Sequence, residues 1–192
     1  MNELINTYIQ NQTILEIYSK SRDNFEYENF ILGIIICNLD EYILVKTLDN
    51  AAMIDSYILI LRSDISKLAA NTFYTKMFQK YININFQNNV YDPFDLEAQF
   101  QVLKNLKLNE IIGYFLDNIK VLSVCTNLDG ETHRGEIITY NNPFIALNEK
   151  RYEKAFGDYT RQKNTIINLA NITAVELISK ENCLYEAYLK DK

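Results

Sequence analysis

The feature that most constrains this chain is an internal repeat. Laid over each other without a gap, the segments from Gly33 to Lys46 and from Gly135 to Asn148 match at the glycines and at Ile35 and Ile36 against Ile137 and Ile138. They also match at Asp40 against Asn142, Tyr42 against Phe144 and Val45 against Leu147. Each segment reads as an apolar strand, a polar turn and a second apolar strand, the pattern of a β-hairpin. A repeat of this kind means one supersecondary unit used twice, so the fold is read per unit. The glycine heading each first strand fits a bend or bulge where a small barrel turns a corner.

The correspondence continues on both sides of the hairpins. Residues 4–9 and 111–116 are short amphipathic helical patterns, each followed by a β-rich run, 13–18 and 119–125. Beyond the hairpins, strands are predicted over 57–61 and 66–68 in the first half and over 165–169 and 173–177 in the second. Both halves therefore read as a helix and five short strands. They differ in loops: 19–29 is the longer between strands one and two, and 148–164 the longer between strands three and four, where a duplicated scaffold tolerates change.

Between the copies, 71–82 carries Phe73, Tyr74, Met77, Phe78 and Tyr81 at helical spacing, with Asn71 as the expected N-cap. After a polar break over 83–89, Asp92 and Pro93 are expected to start a second helix reaching about Lys104. The tail 180–192 suggests a last helical turn or two, with Leu184 and Tyr188 one turn apart.

A helix followed by five strands, with a glycine in strand two and an Asp-turn-aromatic before strand three, resembles the Sm-like (Hfq-type) variant of the SH3-like barrel. The run Leu59, Ile60, Leu61, Arg62, Ser63, Asp64 is similar to that family's apolar strand ending in Arg-Gly-Asp/Asn. The resemblance implies a mainly β fold with helices: a barrel with its leading helix over 1–70, a helical connector over 71–105, a second such barrel over 106–179 and a polar tail over 180–192. It also implies an RNA site at Asp40, Tyr42, Arg62 and Asp64, where a base stacks on the aromatic and the arginine supports the pocket. Leu44 stands where the family carries the base-pairing Asn, and the second copy has Asn142, Phe144 and Ala146 with no arginine.

Charge and composition weigh on what such a fold binds. A net charge of −6 opposes a polyanion over the whole surface. The loop 148–164 runs the other way, alternating Lys150, Arg151, Lys154, Arg161 and Lys163 with Tyr152, Phe156 and Tyr159, a composition suited to an acidic protein surface or to phosphates and bases. The bland alternative is a solvated surface helix from Asn148 to Gly157. A protein partner is favoured and RNA is the alternative, with the molecule a monomer of paired barrels or a homodimer. Nothing in the pattern calls for a membrane.

Nothing marks catalysis. One histidine, His133, expected on a turn after Asp129 and Gly130, cannot build a paired-imidazole site. Cys37, Cys125 and Cys183 are too scattered for a disulfide framework or a zinc site and fit a reducing cytoplasm. Asp40, Asp49 and Asp55 sit at strand ends, where Asp ordinarily serves turns. No nucleotide fingerprint or nucleophile elbow occurs. The expectation is therefore a non-enzymatic cytoplasmic adaptor without metal or organic cofactor. Heavy use of Asn, Ile, Lys and Tyr matches the coding bias of A+T-rich genomes, such as those of some bacteria or their phages.

Overall fold

A computed structural model describes residues 2–24, 30–39, 41–104, 106–118, 120–128, 131–149 and 164–190. The first half runs α1 (Asn2–Gln10), β1 (Ile14–Ser19), α2 (Lys20–Asn24), β2 (Ile31–Leu39), β3 (Tyr42–Leu48), β4 (Ile54–Leu61), a 3-10 turn (Arg62–Asp64) and β5 (Ile65–Ala70). Helices α3 (Phe73–Gln87) and α4 (Leu96–Gln101) connect to the second half. There the order is α5 (Leu108–Asp117), β6 (Val121–Thr126), β7 (Thr132–Asn141), β8 (Phe144–Asn148), β9 (Asn164–Asn168), a 3-10 turn (Leu169–Asn171), β10 (Ile172–Ser179) and α6 (Lys180–Lys190).

The fold is mainly β, and the ten strands among the described residues form one open antiparallel sheet in the order β5-β1-β2-β3-β4-β10-β6-β7-β8-β9. Two tandem barrels were expected; the halves instead share one open sheet, because β4 pairs with β10 from Ile60↔Ala174 to Ser56↔Ser179. An apolar strand edge left bare is a template for pairing, and here the two halves cover each other's.

The repeat holds at the level of register. Ile35↔Val45 and Leu39↔Tyr42 in β2·β3 correspond to Ile137↔Leu147 and Asn141↔Phe144 in β7·β8. Both hairpins skip the same residue, Ile36 in one and Ile138 in the other. Likewise Leu15↔Gly33 matches Leu122↔Gly135, and Ile17↔Leu68 matches Val124↔Val175.

The glycines are not themselves the bulges; they permit close approach. A Cβ on Gly33 would lie 2.7 Å from the Lys46 carbonyl oxygen, and one on Gly135 would lie 2.5 Å from that of Asn148. Both are inside van der Waals contact, so neither site has room for a side chain.

Alternation along the strands buries one set of positions in each half. Leu15, Ile17, Ile35, Ile43 and Val45 close around Ile5 of α1. Leu122, Val124, Ile137, Ile145 and Leu147 close in the same way around Ile112 of α5. Each such side chain contributes roughly 1.5–3 kcal/mol by leaving water. The opposite face of the first half is covered too, by Phe78 and Ile82 of α3 and by Leu96 and Phe100 of α4, so every residue of β3 is buried.

The helical ends depart from expectation. Thr72 rather than Asn71 caps α3, its hydroxyl accepting the Thr75 N–H at 3.1 Å, while Asn71 takes the left-handed turn (φ 57°) that delivers the chain to the cap. The helix then runs through the supposed polar break to Gln87. The second connector helix begins later, at Leu96, where the Asp92 carboxylate accepts the N–H groups of Leu96 and Glu97, each at 2.8 Å. The tail is a full helix, α6, capped by Ser179 through the Asn182 N–H at 3.0 Å. It is the counterpart of α3, so each repeat comprises a helix, five strands and a closing helix.

Candidate functional site

The two halves differ most on the face turned away from their leading helices. In the first half Tyr42, Leu44 and Leu59 lie there, at 8%, 3% and 0% exposure. Their counterparts in the second half are Phe144, Ala146 and Ile166. Ala146 stands opposite Ile166 in β8·β9, and Phe144 lies one same-face position further along. Phe144 is 45% exposed and Ile166 72%, with the bulge residue Ile138 also at the surface. Beside them runs β9, with no described strand on its outer side. Lone exposed apolar residues are ordinary, whereas Phe144 and Ile166 lie together beside a strand edge that no described strand covers.

The residues of the implied RNA site fare differently. Tyr42 is turned into the molecule, sharing a small cavity with Ile111, Ile172 and Val175 of the second half. Burial, and then the charge of Glu41, push its phenol pKa up. Arg62 donates to the Asn2 side chain at 2.8 Å and to that of Asn38. Asp64 is buried and accepts from the Ser21 amide at 3.0 Å and the Ser21 hydroxyl at 2.5 Å. A broad cleft of about 750 Å³ opens beside them, walled by Lys20, Tyr42, Arg62 and Ser63 from one half and Leu169 and Ala170 from the other. Asp40 lies outside the described residues.

Lys150, Arg151, Tyr152, Lys154, Phe156, Tyr159, Arg161 and Lys163 also lie outside the described residues. Their segment leaves from Asn148 at the end of β8 and returns at Asn164 at the start of β9.

Among the carboxylates, Asp49 serves a turn, accepting the N–H groups of Ala51 and Met53 at 2.9 Å each. It and Asp55 also meet Lys180 of α6, the latter at 3.3 Å, and so tie the halves together across the β4·β10 seam. Hydrogen bonds and nearby negative charge outweigh burial and raise the Lys180 pKa.

His133 sits in β7 rather than on a turn, with Nδ1 3.3 Å from the Glu149 carboxylate, which also accepts from Thr165. Burial alone would raise the Glu149 pKa, but these hydrogen bonds and the His133 charge lower it overall. The three cysteines are free thiols, and burial pushes those of Cys125 and Cys183 up, away from the reactive thiolate. Among the described residues, no three His, Cys, Asp or Glu side chains converge as metal ligands, and no helix is long and apolar enough to cross a membrane.

One polar cluster escaped sequence reasoning. Arg134 is buried, donating through Nε to the Ser123 hydroxyl at 2.8 Å and pairing with Glu181 of α6 and with Glu176 at 3.5 Å. Burial raises the Glu176 pKa. The gapless repeat carried the signal: it sets Arg134 against the core residue Leu32, and an arginine in a core position must be paired.

Compared with known proteins, the chain matches no protein family, no curated protein and no solved structure.

Proposed function

We propose that this chain is a non-enzymatic, cytoplasmic binding protein built from two tandem Sm-like barrels fused along one sheet, and that it acts through protein–protein interaction. The barrel reading is supported by the shared strand order of the halves and by the common bulge at Ile36 and Ile138. The docking surface is the outer face of the second half, acting together with the cationic, aromatic segment 148–164 that links β8 to β9. The observation that carries this reading is the exposure of Phe144 and Ile166 at positions whose counterparts, Tyr42 and Leu59, are buried.

The RNA-binding alternative rests on the cleft walled by Lys20, Tyr42 and Arg62. It is the weaker reading, because the tyrosine that would stack a base is buried and the arginine is already held by two asparagines. The acidic net charge adds a general penalty.

Affinity capture from native cytoplasm, with and without nuclease, separates the two. The wild type is compared with Ile166→Lys, with Arg151→Glu/Lys154→Glu and with Tyr42→Ala. A protein retained through nuclease and salt but lost with Ile166→Lys or the loop reversal is the expected result. Nuclease-sensitive material lost with Tyr42→Ala alone, weakening steeply as salt displaces it, would establish the RNA reading instead.

A further inference from the structure

A cavity of about 210 Å³ lies where the helical connector meets the second half, and none of its walls comes from β8 or β9. Leu103 after α4, Phe115 of α5, Val121 of β6 and Leu177 of β10 give it apolar, buried walls, and α6 closes the remaining side. Val102, at 56% exposure, stands where the cavity meets solvent.

Most polar groups on these walls are answered from within the chain. Lys120 and Glu186 pair at 3.0 Å, and the Glu186 carboxylate also accepts the Val121 N–H at 3.3 Å. Gln99 donates to the Phe94 carbonyl at 3.0 Å and meets the Cys183 thiol at 3.6 Å. Burial pushes that thiol's pKa up, so it is uncharged at neutral pH.

Asn182 of α6 is the exception. It is 3% exposed, and its Oδ1 accepts from the Ser123 hydroxyl at 3.4 Å, but its Nδ2 has no hydrogen-bond partner among the described residues. The repeat shows that the place itself does not demand this. Ser179 and Asn182 correspond to the cap Thr72 and to Thr75, which is equally buried, yet the Thr75 hydroxyl donates to the Thr72 carbonyl at 3.3 Å. The second half has put a longer amide there and left its donor unmet. A buried donor in that state is costly until an acceptor reaches it.

We propose that this cavity is a binding site for an uncharged small molecule, with an aromatic or branched aliphatic body between Leu103, Phe115 and Leu177 and one carbonyl-type oxygen on Asn182 Nδ2. Size sets the scale of the ligand. An apolar cavity of about 150 Å³ holds benzene, so this one holds a ring carrying roughly two or three further heavy atoms. Charge sets its class, because the one ammonium and the one carboxylate on the walls already neutralise each other, and a further ion would enter dry surroundings unpaired. Water alone is a poor occupant, since a buried water needs about two to four polar partners and most of the wall is hydrocarbon. A bound molecule would touch the connector, α5 and α6 together, and so clamp the connector to the second half. The site is independent of the docking face and adds a second kind of ligand.

Nuclear magnetic resonance on the isotope-labelled full chain tests this with acetophenone, which has the required size and one carbonyl, and with α-methylstyrene, in which a methylene replaces the oxygen. Both are expected to shift the backbone amides of Leu103, Phe115 and Leu177 saturably, acetophenone with a Kd on the order of 1 mM. Acetophenone alone should move the Asn182 side-chain NH2 signal. Asn182→Leu, which keeps the volume and removes the donor, should weaken acetophenone about tenfold relative to α-methylstyrene.

No shift at the wall amides with either compound up to about 10 mM, well above the expected Kd, overturns the proposal. So do shifts confined to Phe144 and Ile166, which place the compounds on the outer face instead. Benzoate binding as tightly as acetophenone makes this an anion site and overturns the assignment, as does an Asn182→Leu variant that weakens both compounds equally or neither. If circular dichroism shows that Asn182→Leu does not fold, the wild-type NH2 signal decides: movement with acetophenone alone upholds the site, and equal movement with both compounds overturns it.

Discussion

Leu59 and Ile166 occupy the same place in two copies of one unit, yet the first is fully buried and the second is 72% exposed. The strand pattern around them is alike, so the difference comes from what lies alongside. Leu59 has β10 on one side and the connector helices above, whereas Ile166 has open edge on one side and no described helix above. Burial in a repeat is thus set by neighbours as much as by pattern. The polar substitutions in the second half follow the same logic. Asn164 for Tyr57 is an exposed polar residue, whereas Arg134 for Leu32 is buried and answered by Ser123, Glu176 and Glu181 of α6.

The largest expected difference between the halves lies at Leu59 and Ile166. Leu59→Lys should cost about 3–5 kcal/mol in a urea titration, since it buries a charge without a partner. Ile166→Lys should change the stability of the single molecule by no more than about 0.5 kcal/mol. Equal effects would mean the two positions share an environment.

Next come the glycines. Gly33→Val and Gly135→Val should each destabilise by about 1–3 kcal/mol through overpacking. Gly135→Val should be the worse, because the three atoms nearest its Cβ are all backbone, whereas at Gly33 the nearest is a methyl of Val45. Urea midpoints for the two variants test the order.

The helix caps of the two halves have smaller effects. Thr72→Ala and Ser179→Ala should each cost about 1 kcal/mol, measured by thermal unfolding. In both halves the cap hydroxyl also meets a carboxylate, but from different strands: Glu16 of β1 beside Thr72, and Glu176 of β10 beside Ser179. The repeat has kept the contact and moved the residue that makes it.

The smallest effect is a pH dependence confined to the second half. Glu149 has its pKa lowered in the folded protein, so its ionised form stabilises the fold. That contribution is complete above its ordinary value and is lost as pH falls through the lowered one. Urea midpoints of wild type and Glu149→Gln should therefore differ at pH 7 and converge on acidification. A gap that widens in acid would reverse the assignment.

Much of this was legible in the chain itself. The gapless match of Gly33 with Gly135 carried the register of both hairpins, because period-two alternation leaves little freedom once a glycine fixes where the strands touch. The loop-length differences between the halves were visible for the same reason. Other features were not. That β4 and β10 would merge the halves into one sheet depends on edges meeting in space, which local pattern does not encode. Thr72 displaced Asn71 as the cap because either residue type can serve, and only the backbone conformation decides. His133 looked like a turn residue beside Asp129 and Gly130, but pairing with β6 carried it into β7. Of the candidate site, the repeat pairs Phe144 with the core residue Tyr42 and so does not mark it as exposed. Ile166 lies in an apolar run that reads as core.

Two equivalent units, joined along one seam and open along its counterpart, should be distinguished by residue-resolved hydrogen exchange on the dilute protein. Between β3 and β10, all the amides of β4 from Ser56 to Ile60 should be protected. In β9, the amides that bond to β8 should be protected, and their alternate neighbours, which point to the open edge, should exchange at close to the rate of unfolded chain. Uniform protection along β9, or alternating fast exchange along β4, would contradict the account.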